Sequence, residues 1–397
     1  MTRRGSARYA WLVAAAVIFM VVSEEQLEAA RAVAGHLPSP PTVVNPYTGV
    51  AAPLAEMTDV RRPVGAFPTP RAIGAARATL RRSLELAGAP HPVLVAGQDV
   101  GTIERVAIAS ARRAGARVAI MPDGVFASER LGAGRRPLER AISAADRALV
   151  AAGVLAGRRS DFGSTAPDMI LSWGPGWEAP LQRRAPAARI VNCGSPRSDA
   201  FARLPPRPGE GRVLLCSQPL FLGQAVAPPS RETVAWYDWL TAMARVDDPR
   251  VRVRLHPGER APAYPLPGGL RHLLGEPHRP LAEDLAWADV VLAPFSSVLV
   301  EAAGASRIPI SAGSTAVWGD FAANAFLQDP RVPSVDFRAS PGLDDLLAVA
   351  AETAPGIDAL RDDYLANAGD AARRNADAIA ALATAQKPGA AGRARRL

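Results

Sequence analysis

Apolar runs alternate with amphipathic stretches along most of the chain. Short runs rich in Val, Ile, Leu and Ala are separated by longer stretches in which apolar residues recur every three or four positions. The first pattern is typical of strands buried on both faces, and the second is typical of helices that cover a sheet. Strands that alternate with helices predict βαβ units and a parallel sheet. In the first half we predict strands at 17–22, 92–96, 116–121, 168–173 and 188–192, with a short extended segment at 41–45.

A proline-rich linker divides this pattern into two halves. Residues 204–209 include three Pro and one Gly, which disfavour both helix and strand. After the linker the alternation restarts, with predicted strands at 212–216, 251–255, 290–294 and 308–312. We therefore predict an α/β protein with two Rossmann-like domains that face each other across a cleft. Their bounds are 1–205 and 206–385, and a disordered tail rich in Gly, Ala and Arg follows at 386–397.

Polar residues follow two predicted strands of the second half. In an open parallel sheet, ligands bind in the crevice beyond the carboxyl ends of the strands. An imidazole, hydroxyls and a helix N-terminus bind phosphate, and a carboxylate one turn into that helix could accept from ribose hydroxyls. Helix capping and a loop position would explain the same residues without a ligand. The candidates for nucleotide binding are Arg254, His256, Pro257, Ser296, Ser297 and Glu301.

Two strand ends of the first half carry further candidates. Asp123 follows a predicted strand in the sequence Pro-Asp-Gly, where a carboxylate could act as a general base or simply stabilise a turn. Arg197 and Asp199 follow the last predicted strand of this half. They either pair with each other locally or reach the cleft.

Charge and cysteine content narrow the function classes. The net charge of +8 could bring the surface, including the basic helix predicted at 71–86, to anionic lipid. Nucleic acid is not an expected partner, because no recognition motif is present and only 6% of residues are aromatic. Cys193 and Cys216 adjoin strand-like runs and are expected to be buried thiols in a reducing compartment. With no close His partner they make no zinc site, and we predict no metal.

The N-terminus allows two interpretations. Arginines 3, 4 and 8 precede an apolar run at 10–22, which resembles a signal peptide or a short anchor. This run of 13 residues is shorter than the roughly 20 that a spanning helix needs. We favour a buried strand at 17–22, followed by a helix that Ser23 caps. The protein is then expected in the cytoplasm, at most peripheral at the inner face of the membrane.

The order of the motifs resembles that of a known group of enzymes. Pro-Asp-Gly at 122–124, Gly-Ser-Pro-Arg-Ser-Asp at 194–199, Arg-Leu-His-Pro at 254–257 and Ala-Asp-Val-Val-Leu-Ala-Pro-Phe-Ser-Ser at 288–297 are similar to motifs of two-domain (GT-B) bacterial transferases. The relevant enzymes are the capsule polysialyltransferases and the teichoic-acid CDP-glycerol glycerophosphotransferases. The resemblance implies transfer of a sugar or polyol phosphate from a CMP-, CDP- or UDP-activated donor to a surface-polysaccharide acceptor, either a saccharide or lipid-linked. It also implies an inverting reaction that needs neither metal nor cofactor.

The same resemblance implies roles for individual residues. Asp123 would be the general base. His256 would contact the donor phosphates and help the nucleotide leave, while Ser296 and Ser297 would hold the phosphate.

Two other classes use this scaffold. UDP-N-acetylglucosamine 2-epimerases also have a His-Pro after a strand, but typically a Ser-Gly-Gly where this chain has Ser296 and Ser297. A non-catalytic protein of a polysaccharide cluster is the other alternative. It stays open because Pro122 occupies the first position of an acidic-acidic-Gly motif and Pro294-Phe295 replaces an Asp-Tyr pair.

Overall fold

Seven strands form the first of two sheets. The computed structural model describes residues 16–57, 69–87, 91–124, 137–157, 162–220, 230–261, 264–275, 277, 279–319 and 324–385. The first sheet has the order β3-β2-β1-β4-β5-β6-β7, and all its pairs are parallel except β2 with β3. Its strands are β1 (Val17–Met20), β2 (Thr42–Asn45), β3 (Val50–Pro53), β4 (Val93–Ala96), β5 (Arg117–Ile120), β6 (Met169–Ser172) and β7 (Arg189–Asn192). The helices of this region are α1 (Glu24–Ala34), α2 (Pro70–Ala87), α3 (Thr102–Arg113), α4 (Pro137–Ala151) and α5 (Glu178–Arg184).

The second sheet has five parallel strands in the order β12-β11-β10-β8-β9. They are β8 (Val213–Cys216), β9 (Val251–Arg254), β10 (Val290–Ala293), β11 (Ile308–Ala312) and β12 (Ser334–Val335). The helices that follow the linker are α6 (Arg231–Ala244), α7 (Leu281–Trp287), α8 (Val298–Gly304), α9 (Thr315–Trp318), α10 (Leu343–Thr353), α11 (Ile357–Tyr364) and α12 (Ala371–Thr384). The predicted fold class, two parallel α/β sheets, is confirmed.

The strands predicted from apolar runs are present, each shortened by at most two residues at its ends. Strands β3 and β12 were not predicted. Strand β3 is a largely exposed antiparallel edge, so it lacks a buried apolar run, and β12 contains only two residues. Periodicity identifies strands by their buried faces and therefore misses such edges.

The N-terminal apolar run forms a central strand of the first sheet. Strand β1 lies between β2 and β4, and every residue of β1 is buried. The favoured interpretation of 17–22 as a buried strand is therefore correct, whereas positions 10–15 lie outside the described residues. Across the described ranges we find no helix with the length and apolarity needed to cross a membrane.

The basic helix α2 packs its apolar side against the protein. Leu80 and Leu84 are buried in the same core as strands β1 and β4, while Arg71 and Arg82 are exposed. Its apolar face is therefore unavailable to a lipid bilayer, and any attraction to a membrane would have to come from the exposed arginines.

The last helix returns to the first sheet. Asn367 and Gly369 adopt positive φ angles of 60° and 93° and turn the chain between α11 and α12. Helix α12 then packs against α1 and strands β4 to β6, where Ile379 is fully buried. The predicted domain boundary at 205/206 assigns residues 371–384 to the second domain. In the structure these residues cover the first sheet.

Candidate active site at the domain interface

Charged and polar side chains from both sheets meet between the domains. Asp123 follows β5, and Arg197 follows β7 in the 3-10 segment Pro196–Arg203. Glu301 lies on α8 of the second domain, and Arg197 Nη2 is 3.3 Å from Glu301 Oε1. Glu25, in the first turn of α1, is near enough to act electrostatically on Asp123, Arg197, Glu301 and also His256. The structure therefore brings four of the predicted residues together around one interdomain site.

Asp123 is held at the end of β5 from two sides. Gln26 Nε2 donates to Asp123 Oδ2 at 2.6 Å. On the other side, Trp173 Nε1 donates to the carbonyl of Pro122 at 3.0 Å, which fixes the backbone that carries the aspartate. Burial raises the pKa of Asp123, while the hydrogen bond from Gln26 acts in the opposite direction. The carboxylate lines a small, partly open pocket together with Arg197.

Arg197 forms an ion pair that crosses the domain interface. Its partner Glu301 has a side chain that is 4% exposed, while that of Arg197 is 20% exposed. Glu28, one turn further along α1 than Glu25, lies 3.8 Å from Arg197 Nε. Burial raises the pKa of Glu301, and the guanidinium of Arg197 opposes this. Burial by itself would lower the pKa of Arg197, but the surrounding carboxylates, Glu301 first, outweigh it and raise the pKa.

Asp199 does not join this group. Its Oδ1 accepts from the backbone N–H groups of Gly369 and Ala371, and its Oδ2 accepts from Ala372, all at 2.8 Å. These are the N–H groups at the start of α12, which have no partner within the helix. Asp199 therefore anchors the returning helix to the first domain, and its carboxylate is occupied by this role.

His256 has one ring nitrogen fixed by the backbone. Strand β9 ends at Arg254, and a 3-10 segment begins with Pro257. His256 Nδ1 accepts from the N–H of Gly258 at 3.0 Å, so the proton of the neutral ring resides on Nε2. Burial lowers the pKa of His256, Arg254 adds to this and Glu25 opposes it. At neutral pH the ring is thus an uncharged Nε2–H donor.

A network of buried hydrogen bonds holds the backbone of His256 in place. Glu259 Oε2 accepts from the N–H of His256 at 2.8 Å. Its other oxygen accepts from Tyr237 at 2.5 Å and from Ser217 at 2.8 Å. Because Glu259 is only 1% exposed, these bonds are protected from water and hold the strand end rigid.

The two serines occupy the entry to α8 but differ in their bonding. Ser296 Oγ accepts from the N–H of Val298 at 3.4 Å. Ser297 is the N-cap residue, yet its side chain makes no capping bond. Both serines are partly exposed, whereas the seven residues of α8 are all buried. The Ser297 hydroxyl is therefore not used to cap the helix.

Arg254 is engaged on the face of β9 that meets α7. Its Nη1 donates to Asp284 Oδ2 at 2.5 Å and to the carbonyl of Arg279 at 2.7 Å. Arg252 binds the other oxygen of Asp284 at 2.9 Å and stacks over Trp287. The predicted nucleotide-binding arginine is thus part of an ion-pair network centred on Asp284, which secures the edge of the second sheet.

Sequence reasoning missed Gln26, Glu259 and Tyr237 as parts of the site. The spacing of Ser23 and Gln26 predicts a helix cap, and Ser23 Oγ does accept from the N–H of Gln26. That spacing contains no sign that the Gln26 amide also meets a residue 97 positions away. Within the part of the chain that the structure describes, no cluster of three or more His, Cys, Asp or Glu side chains is arranged to hold a metal ion.

Comparisons with known proteins find structural relatives only. No protein-family model and no curated protein matches the sequence. The structure of the glycotransferase of kitacinnamycin is 17% identical with a TM-score of 0.53, covering 92% of this chain and 98% of that one. The wall teichoic acid polymerase TagF is 14% identical with a TM-score of 0.51, covering 93% and 88%. The chain has the GT-B fold.

The predicted similarity to GT-B and teichoic-acid transferases is confirmed at the level of structure. A Listeria monocytogenes protein assigned as a UDP-N-acetylglucosamine 2-epimerase is also similar, at 11% identity and a TM-score of 0.52, covering 92% and 96%. Identities this low establish the architecture alone. The chemistry has to be argued from the residues at the domain interface.

Proposed function

We propose that the protein transfers a sugar or polyol phosphate from a nucleotide-activated donor of the CMP, CDP or UDP type to a surface-polysaccharide acceptor. The observation that supports this most is the interdomain cluster around Arg197, which pairs with Glu301 of α8, the helix that Ser296 and Ser297 precede. In the same cluster Glu25 is near enough to act electrostatically on both Asp123 and His256. In this scheme residues 206–385 hold the donor and residues 1–205 hold the acceptor, which is a saccharide or a lipid-linked saccharide.

The donor would bind at the carboxyl ends of β9 and β10. His256 Nε2–H is placed to donate to a phosphate oxygen, because its other nitrogen is taken by Gly258. Ser296 and Ser297 supply hydroxyls from the end of β10, which β8 separates from β9 in the sheet. Glu301 is the acceptor for ribose hydroxyls, and this requires the ribose to compete with Arg197.

The transfer step follows from these positions. Asp123 takes the proton of an acceptor hydroxyl as the oxygen attacks the activated carbon or phosphorus of the donor. The bond from that atom to the phosphate oxygen of the leaving nucleotide breaks, with inversion at the attacked centre. The nucleotide leaves as an anion, which the neutral His256 N–H and the Arg197 guanidinium stabilise through hydrogen bonds and charge. No metal is needed in this scheme.

The proposed location is the cytoplasm, in contact with the inner face of the membrane when the acceptor is lipid-linked. Nucleotide-activated donors are available there. Burial raises the pKa of Cys193 and Cys216 to about 12, in keeping with inert thiols.

Epimerisation of a UDP-sugar is the second candidate, since an epimerase shares the fold at a TM-score of 0.52. Both candidates require a nucleotide at His256. The non-catalytic alternative requires none, so nucleotide binding is the first property to measure.

The test is a thermal-shift series with CMP, CDP, UDP and their sugar or polyol conjugates. We expect at least one nucleotide to raise the melting temperature and His256→Ala to abolish the rise. His272→Ala is the matched control, because His272 is an exposed histidine of the same domain. A protein that responds to no nucleotide would contradict the proposal and favour the non-catalytic alternative.

A second measurement separates transfer from epimerisation. Asp123→Asn is expected to retain nucleotide binding and to lose turnover. Release of UDP without any acceptor, or recovery of an epimerised sugar, would favour the epimerase. Normal turnover by Asp123→Asn would remove Asp123 from the base role.

A further inference from the structure

We propose that Gln26 is the positioning residue of the Asp123 carboxylate, holding it in one orientation at the interdomain site. The inference rests on the proposed function for its consequence in catalysis. The contact itself is independent of that function. Pro122, which precedes Asp123 in the chain, has no polar side chain that could hold the carboxylate.

The Gln26 side chain is fixed at both ends. Its Oε1 accepts from the N–H of Val22 at 2.8 Å, and its Nε2 donates to Asp123 Oδ2 at 2.6 Å. Because the N–H of Val22 needs an acceptor, the amide oxygen of Gln26 must face Val22, and the amide nitrogen, a donor, must face Asp123. With 4% of its surface exposed, Gln26 makes both bonds away from bulk water. It therefore links the start of α1 to the end of β5.

Gly97 provides the space that this link occupies. A Cβ at position 97 would lie 2.5 Å from Gln26 Nε2 and 2.6 Å from its Cδ. The neighbouring atoms are the amide group itself, whose position both hydrogen bonds restrict. Any side chain at 97 would therefore push the amide away from Asp123, although the backbone of Gly97 does not require glycine for its φ angle.

The arrangement has two consequences for a general base. The amide occupies Oδ2, and among the described side chains no other donates to the carboxylate, so Oδ1 is the oxygen that side chains leave to take a proton. The backbone N–H of Asp123 also donates to the carboxylate. The N–H donated by Gln26 also stabilises the ionised carboxylate and so lowers the pKa of Asp123, whereas burial raises that pKa. Gln26 thus orients Asp123 and opposes the rise of its pKa that burial causes; the backbone N–H of Asp123 and Arg197 act in the same direction as Gln26, and Glu25 acts with burial.

The test compares Gln26→Met with the wild type by carbon-13 NMR titration of labelled aspartate, with Asp123 assigned from Asp123→Asn. Methionine keeps the length of the side chain and lacks both the donor to Asp123 and the carbonyl acceptor for Val22. We expect the pKa of Asp123 to rise, the acidic limb of the pH–rate profile to move to higher pH, and kcat to fall about 10- to 100-fold with little change in KM for the donor. Gln26→Glu keeps an acceptor for Val22 but places a second carboxylate beside Asp123, so it should raise that pKa further and not restore activity.

Gln98→Met is the matched control. Gln98 follows the neighbouring strand β4, and its amide donates to Glu104 at 3.3 Å and not to Asp123. It should leave the titration of Asp123 unchanged. Gly97→Ala supplies a second variant in case Gln26→Met fails to fold, and it should shift the same titration through displacement of the amide.

The outcomes distinguish this inference from the proposed function. An Asp123 titration that is the same in Gln26→Met, Gly97→Ala and wild type would overturn the positioning role, whatever the activity. A shifted titration together with full turnover by Asp123→Asn would support the positioning of Asp123 and refute its role as the base.

Discussion

Removing Arg197 would leave a buried carboxylate without its counter-charge at the domain interface. At the observed 3.3 Å, two unit charges attract by roughly 5 kcal/mol with an effective dielectric constant of about 20. Desolvation offsets much of this, yet deletion of one partner of a buried pair typically costs about 3–5 kcal/mol because the other charge stays behind. We expect Arg197→Met to fall in that range, since Glu301 is 4% exposed.

The reciprocal variant Glu301→Gln should cost less. The guanidinium that it leaves is 20% exposed and keeps Glu28 at 3.8 Å. We expect a loss of about 1–2 kcal/mol, the usual range for a weakened hydrogen-bonded contact. The asymmetry between the two variants tests whether burial of Glu301, and not the attraction alone, dominates the energetics.

The cost of Arg197→Met should depend on pH with a definite sign. Burial raises the pKa of Glu301, and loss of Arg197 raises it further. A folded-state pKa above the unfolded value favours the protonated native form, so stability is retained in acid and lost as pH rises through the folded pKa. The deficit of Arg197→Met relative to wild type should therefore be small in acid and grow towards neutral pH.

The assay is denaturant or thermal unfolding of wild type, both single variants and the double variant between pH 5 and 8. Arg373→Met serves as control, because Arg373 pairs with exposed Asp370 and Asp377 and should cause no measurable change. Equal losses of unfolding free energy in the two single variants at every pH would refute the role assigned to the burial of Glu301. So would a coupling energy below about 0.5 kcal/mol in the double-mutant cycle.

Three further predictions follow from the other contacts. Asp199→Ala should destabilise the protein by about 1–3 kcal/mol and increase hydrogen exchange at the start of α12, because three N–H groups lose their acceptor; unchanged exchange there would contradict the capping role. Asp123→Asn should raise the melting temperature relative to wild type, and this gain should increase as pH rises through the elevated pKa of Asp123, because the wild type must then bury a charge. A gain in melting temperature that is largest in acid would contradict this prediction. Cys193 and Cys216 should react with a maleimide at pH 8 only after unfolding, because burial raises the pKa of each to about 12, and rapid labelling of the native protein would disprove this.

The sequence predicted the architecture because buried positions recur along each strand and helix with a regular spacing of apolar residues. Strands β4, β8 and β10 are each covered on both faces, so they appear as continuous apolar runs. Helix α1 begins where the predicted Ser23 cap places it, because a helix cap is a local feature of the sequence. Edge strand β3, which has no buried run, could not be recognised in this way.

The candidate site was predictable only as far as strand ends are predictable. Asp123 and His256 were identified because parallel strands must end in the same crevice. The sequence offered Glu301 as a nucleotide-binding candidate and Arg197 as a possible cleft residue, but it did not show that they pair with each other, since their contact joins two domains. Asp199, from the same motif as Arg197, instead caps a helix that lies about 170 positions further along the chain.

Local order along the chain thus determined which segments are strands and helices, where the linker falls, and which polar residues stand at strand ends. Only the tertiary structure decided which distant groups the polar side chains bind: Gln26 binds Asp123, Arg197 binds Glu301, and Asp199 binds the start of α12. The physical reason is that burial repeats along the chain with the period of each element, whereas a hydrogen bond or ion pair depends on the distance between two atoms that packing of separate elements brings together.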